Sequence, residues 1–245
     1  MSIPGLSDWL QTPQGRYLLE WEQAAFDRMV ADVFGYYALQ VGMTDLDFLR
    51  ANRMPFRFRC MASGPAEVLA NEFELPFASA SLDLVLLPHV LEFSRQPHQV
   101  LREVERVLVP EGSVVLSGFN PLSLWGLRRV GARGGGDFPW KGQYRSAMRI
   151  KDWLTLLGFE VQAGKFGCYA PAVGAAKWLD RWRVLDRAGP RWWSVCGADY
   201  MLHGVKRVQG MRLITPKWRG ERRSAKALSP VAQRNGGGEI TKSED

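Results

Sequence analysis

Three stretches, ELPF at residues 74–77, SLDLVLLPHVLE at 81–92 and LREVERVLVPEG at 101–112, decide the fold. Leu82 to Pro88 is a short, nearly unbroken apolar run, the composition of a strand buried on both faces. Pro97 then opens a segment in which Val100, Leu101, Val104, Val107 and Leu108 share one helical face. Arg102, Glu103, Glu105 and Arg106 are interleaved between them. That spacing predicts an amphipathic helix over 97–108. PEG at 110–112 is turn chemistry, and SVVLS at 113–117 is another buried strand. Strand, helix and strand in that order predict a parallel βαβ unit with a right-handed crossover.

Upstream, Thr12 followed by Pro13 is a helix start. Leu18, Leu19, Phe26, Met29, Val30 and Val33 carry the helical period to about Phe34. YYALQVG at 36–42 predicts the first buried strand, 45–52 a short helix and 57–61 a second strand. Downstream, Asn120 and Pro121 read as N-cap and first position of a helix through Arg129. The glycine-rich segment 131–136 is expected to be a mobile loop. A helix over 150–157 ended by Gly158, a strand over 159–162, a helix over 172–184, a strand over 198–208 and a short strand over 211–215 follow. After Trp218 the chain turns to Arg, Lys, Ser and Gly, the composition of a disordered tail. No internal repeat is visible.

At 245 residues, with 46% hydrophobic and 23% charged residues, the chain is long enough for one α/β domain with additions. Three scattered cysteines, with no CxxC pair, predict neither a disulfide framework nor a zinc site, and no metal is expected; a reducing cytoplasm fits. No leader pattern and no apolar run near ~20 residues is present, so a soluble protein with no membrane partner is expected. The net charge is +7. The last 29 residues contribute +3 of it, from seven Lys/Arg and four Asp/Glu. Ten tryptophans point to extra packing elements around a common core or to an aromatic binding surface.

The stretches from Glu74 to Gly112 closely resemble the class I S-adenosylmethionine-dependent methyltransferases, in particular the methyltransferase type 11 group. SGFNPLSLWGLR at 117–128 is similar to a narrower bacterial branch of that group. The likeness is weaker over 36–71 and 150–208. It implies a Rossmann-like α/β fold: a mostly parallel seven-stranded sheet, helices on both faces and an antiparallel final strand. Residues 36–216 would form that domain, after a helical extension at 1–35 and before a disordered basic tail at 217–245. The implied reaction is methyl transfer, with S-adenosyl-L-methionine as cofactor.

Ligands of open parallel sheets bind beyond the carboxyl ends of the strands. That rule and the resemblance nominate Gln40, Gly42, Asn71, Glu72, Pro88 and His89 for the cofactor. The family places an acidic residue and then GxGxG after the first strand. Here Gln40 holds the acidic position, Gly42 is kept, and Thr44 and Leu46 replace the later glycines. A Cβ at each narrows the space for the methionine end, unless the loop takes another path. No ribose-binding acid follows the second strand directly, Glu67 being the nearest carboxylate. Asn71 and Glu72 stand where the family often has an adenine-contacting Asp, and either accepts from an amino group.

No catalytic residue is fixed by the sequence; His89 and Glu92 are the candidates. His89 at a strand end reads as a proton acceptor or as a fixed histidine bonded to a loop. Glu92 reads as a base, a substrate anchor or a loop-fixing group. Asp83, inside its strand, reads as structural. Arg128, Arg129, Arg133, Lys141, Arg145, Arg149 and Lys151 form a basic run, a reason to expect an anionic methyl acceptor or simply a solvated loop. Two other functions compete: a non-catalytic binding or regulatory module with a degraded cofactor loop, and an RNA-associated methyltransferase using Arg219, Arg222, Arg223 and Lys226. The acceptor, small or macromolecular, and the oligomeric state are not legible.

Overall fold

Thr12 begins the architecture as the sequence predicts. Its hydroxyl donates to Trp9 O at the end of α1 (Leu6–Leu10) and accepts from Gly15 N, capping α2 (Pro13–Val30). Thr12→Ala is expected to cost about 1 kcal/mol of stability in urea unfolding, and an unchanged midpoint would remove the cap from the account. The computed structural model describes residues 5–131, 139–172, 174 and 176–208. The expected strand at 211–215, the tail from Lys217 with its arginines, and positions 132–136 of the glycine-rich loop lie outside them.

The sheet has seven strands: β1 (Tyr37–Val41), β2 (Phe56–Met61), β3 (Val68–Leu69), β4 (Leu82–Pro88), β5 (Leu108–Phe119), β6 (Phe159–Gly167) and β7 (Asp199–Lys206). Their order is β3-β2-β1-β4-β5-β7-β6. The first five pair in parallel, and β7 runs antiparallel to both β5 and β6. The helices are α3 (Val90–Phe93), α4 (Pro97–Val107), α5 (Leu124–Gly131), α6 (Ala147–Leu156), α7 (Ala176–Trp182) and α8 (Val184–Trp192). The seven-stranded sheet with its antiparallel last strand is therefore as expected.

Alternation along β4 builds two cores. Leu84 and Leu86 face the layer made by Leu18, Phe26 and Val30 of α2. Val85 and Leu87 face Val100, Leu101, Val104 and Val107 of α4 with Ile150 and Leu154 of α6. A strand covered on both faces has no polar side to show, which is why its sequence reads as an apolar run. Asp83 is the exception and is structural: its Oδ2 accepts from Tyr36 N at 2.8 Å and Tyr37 N at 2.9 Å, fixing the entry of β1.

Four local expectations differ. Residues 45–52 form turns rather than a helix, because the Gln40 side chain takes their backbone groups. PEG at 110–112 does not end a turn before a strand; it lies inside β5, where pairing jumps from Leu82↔Leu108 to Leu84↔Ser113. Asn120 is not the N-cap of α5: Ser123 Oγ accepts from Gly126 N, whereas Asn120 donates to Val195 O and Gly197 O and ties β5 to the entry of β7. The helix expected over 172–184 is two helices, α7 and α8.

Candidate functional site

The parallel strands deliver Gly42, Pro88 and Phe119 to one edge of the sheet. Gly42 has φ +80°, open to glycine and strained for other residues, and a Cβ there would come within 3.2 Å of Val90 Cγ2. The loop that follows is organised by Gln40. Its fully buried Nε2 donates to Gly42 O, Met43 O and Leu46 O, and its Oε1 accepts from Phe48 N. Met43 spends its side chain in the core beside Phe48 and Leu86, and the Thr44 hydroxyl contacts Met61 Sδ. The side chains of Met43, Thr44 and Leu46 are thus used inward, while Asp45 and Asp47 are exposed.

A cleft of about 350 Å³ is lined by Asn71, Glu72 and Phe73, after β3, and by Phe93 and Arg95, at and after the end of α3. Asn71 is exposed there and Glu72 is largely buried. Of the six residues nominated for the cofactor, these two line the cleft; Gln40, Gly42, Pro88 and His89 are buried and do not line it. Glu67 is engaged elsewhere. The Arg59 guanidinium clamps its carboxylate and holds its pKa down at about 2. Arg59 also donates to Thr44 O, so the pair braces the loop rather than presenting a free acid to a ribose.

His89 sits at the turn from β4 into α3 with φ +51°, a left-handed conformation that costs a non-glycine residue roughly 1–2 kcal/mol. Carboxylates on both sides hold it there. Nδ1 meets Glu92 Oε1 at 2.9 Å, and Nε2 lies 2.9 Å from Glu22 Oε1. Glu92 Oε1 also accepts from Phe119 N at 2.6 Å, and Glu22 Oε1 from Ser117 Oγ at 2.7 Å. Asp199, at the start of β7, completes the group. Glu22, His89 and Asp199 are each 0% exposed. Burial alone would lower the His89 pKa, but Glu22 and Glu92 outweigh it and raise it well above the ordinary value. Burial, and next the Glu22 charge, push the Asp199 carboxyl well above the usual range. The Phe119 ring stacks on His89 at 4.2 Å and on Tyr144 at 5.0 Å, covering the imidazole with aromatic surface.

The structure therefore brings the catalytic candidates His89 and Glu92 together and seals them. Glu22 and Asp199 were missed by the sequence reading. One signal was available: Glu22 falls four residues after Leu18 and four before Phe26, on the buried stripe of α2. The arginines of the basic run separate. Arg128 donates to Ala172 O, Arg129 donates to Trp140 O and covers the Tyr144 ring, and Arg145 and Arg149 lie over Trp153. Among the described residues, no helix is long and apolar enough to cross a membrane.

Residues 42–116 match the protein family described as Methyltransferase domain. The chain is similar to the uncharacterized protein YafS of Escherichia coli (strain K12), 34% identical over 155 residues, 62% of this chain and 65% of that protein. It is also similar to the malonyl-(acyl-carrier protein) O-methyltransferase of Laribacter hongkongensis (strain HLHK9), 38% identical over 72 residues, 29% of this chain and 24% of that protein. The chain thus spans less than two thirds of either relative. A solved SAM-dependent methyltransferase from Archaeoglobus fulgidus has the same fold, with TM-score 0.54 at 17% identity over 76% of this chain and 94% of that one. Residues 42–116 thus match the methyltransferase domain family, and the strand order with its antiparallel β7 is the fold that the solved SAM-dependent methyltransferase shares.

Proposed function

We propose that the chain transfers a methyl group from S-adenosyl-L-methionine, holding the adenosine end of the cofactor in the cleft at Asn71, Glu72 and Phe93. The observation that carries this is that cleft, large enough for a small ligand and lined by the segment after β3 and by the end of α3, the short helix that follows β4. Asn71 offers an exposed side-chain carbonyl to an adenine amino group, and Phe73 and Phe93 offer apolar walls. The cofactor, when bound, supplies an already activated methyl, so the chain's task is to orient the acceptor and exclude water. His89 and Glu92 are buried too deeply to touch the cofactor or its methyl acceptor; they fix the β4–α3 turn that leads to Phe93 at the cleft. An anionic acceptor finds its best anchor in Arg145, whose Nε has no hydrogen-bond partner and whose pKa is lowered by burial and then by Arg149.

Calorimetric titration with S-adenosylhomocysteine tests the reading. Micromolar binding is expected, weakened roughly 3- to 10-fold by Asn71→Ala, the worth of one hydrogen bond. No heat at millimolar ligand would sink it. A specific observation favours a second reading, that of a non-catalytic module: the loop after β1 is closed on itself by Gln40, and the tips of β4, β5 and β7 are filled by protein side chains. Absent binding selects that reading.

A further inference from the structure

We infer that Glu22, His89 and Asp199 form a binding site for a divalent transition-metal ion, with Glu92 as the group that orients the histidine. Three elements distant in sequence supply the ligands: α2, the β4–α3 turn and the start of β7. One ligand atom of each lies within 4.8 Å of the other two. Ligands on a shared tetrahedral ion at about 2.1 Å stand roughly 3.4 Å apart, so the widest pair closes by about 1.4 Å at most, which side-chain rotation provides.

The polar bookkeeping calls for a cation. Glu22 Oε2, Asp199 Oδ2 and Glu92 Oε2 are buried and make no hydrogen bond. His89 Nε2 faces Glu22 Oε1 at 2.9 Å, an ion-pair contact without a well-directed hydrogen bond. Unpartnered buried polar atoms are rare in folded proteins because each carries a desolvation cost with nothing to offset it. Here several converge on one spot. Three carboxyl groups lie around one imidazole, which pairs with two of them, Glu22 and Glu92. A divalent ion offsets carboxylate charge at this spot and gives the free oxygens a partner.

The surroundings also have the arrangement that metal-bound histidines show. Glu92 Oε1 meets Nδ1 at 2.9 Å, which fixes the tautomer that presents Nε2 as the ligating atom. Glu92 is itself held by Phe119 N, and Glu22 by Ser117 Oγ. One imidazole with two carboxylates, and no thiolate, suits Zn²⁺, Mn²⁺, Fe²⁺ or Co²⁺ better than Cu⁺; Ca²⁺ and Mg²⁺ favour all-oxygen shells. Neither ligand spacing nor a cysteine pair announces the site in the sequence, because its members are 67 and 110 residues apart (22 to 89, 89 to 199). The inference does not depend on cofactor binding, so titration with S-adenosylhomocysteine and metal content report on separate claims.

The test is the metal content of the untagged full-length chain, grown with added zinc, manganese and iron, dialysed, and measured by plasma mass spectrometry. Close to one equivalent is expected, falling about tenfold or more in the Glu22→Gln, Asp199→Asn double variant. Cobalt substitution is expected to give a visible ligand-field band that the double variant lacks. The wild-type protein decides the question even if the variant does not fold. Less than about 0.1 equivalent in it, with no rise in melting temperature in any of the four ions at ~100 μM, would overturn the site. Equal metal in a folded double variant would overturn the ligand assignment.

Discussion

Gln40→Leu is expected to lower the stability of the chain by about 3–5 kcal/mol, among the largest effects of any single substitution here. The leucine matches the glutamine in size and keeps the apolar contacts. It leaves Gly42 O, Met43 O, Leu46 O and Phe48 N without their buried partner. Each abandoned group costs roughly 1–3 kcal/mol, and the sum is capped because the loop relaxes toward water. Gln40→Glu separates hydrogen bonding from size. The acidic residue usual at this position in the family is the wrong one for this loop, since a carboxylate would face three carbonyl oxygens and donate nothing. Its pKa should therefore be raised by burial and by those oxygens. A proton held more tightly in the folded state gives stability that is present at low pH and is lost as pH rises from about 4 through the folded pKa. Urea unfolding from pH 4 to pH 8 should show Gln40→Glu nearing wild type in acid and falling away toward neutrality. A flat difference would mean that the loop rearranges and the side chain escapes to solvent.

The same residue shows where sequence reading reaches its limit. Elements whose burial is set by short-range period were legible. Leu82–Pro88 is a strand at its expected limits, and α4 ends one residue from its expected end. The parallel β4–β5 pair followed from the strand–helix–strand order. Asn71 and Glu72, nominated for the adenine from their place before Leu-Pro-Phe, line one cleft. What failed were segments whose backbone partners come from side chains or from distant chain. Residues 45–52 carry a helix-compatible pattern, but Gln40 satisfies their backbone groups and the helix does not form. Asn120 precedes Pro121 in an ideal cap pattern, but its amide is claimed by Val195 and Gly197, 75 and 77 residues away. The cluster around His89 was half visible. His89 and Glu92 share a turn, three residues apart. Glu22 and Asp199 join them only once α2 crosses the sheet and β7 inserts beside β5. No local rule carries that information, and a buried charge on an otherwise apolar helix stripe is the single trace it leaves.

Trp125→Ala should be comparably damaging, at about 3–5 kcal/mol, for a different reason. The indole is 0% exposed and sits between Trp9, Phe119 and Trp140, with ring centroids 6.0, 6.2 and 6.1 Å away. Its Nε1 donates to Ala170 O at 2.9 Å, while Ala170 N donates to the Tyr17 hydroxyl. Trp125 therefore joins α1, α5 and the segment after β6, and it backs Phe119, the ring that covers His89. Removal leaves a cavity that these rings cannot all collapse into. Trp125→Phe keeps most of the ring contact and loses only the donor to Ala170, so it should cost clearly less, by roughly the net worth of one hydrogen bond beyond the lost volume, about 1 kcal/mol. Chemical unfolding of the two variants orders these contributions, and near-equal losses would show that the indole donor, not packing, dominates. The consequence for function follows from the same contacts. If Phe119 holds the edge of the cleft in place, Trp125→Ala should weaken S-adenosylhomocysteine binding even under conditions where the variant remains folded, and Trp125→Phe should not. Undiminished binding by folded Trp125→Ala would separate the aromatic column from the cofactor site and leave it a purely structural support for α5.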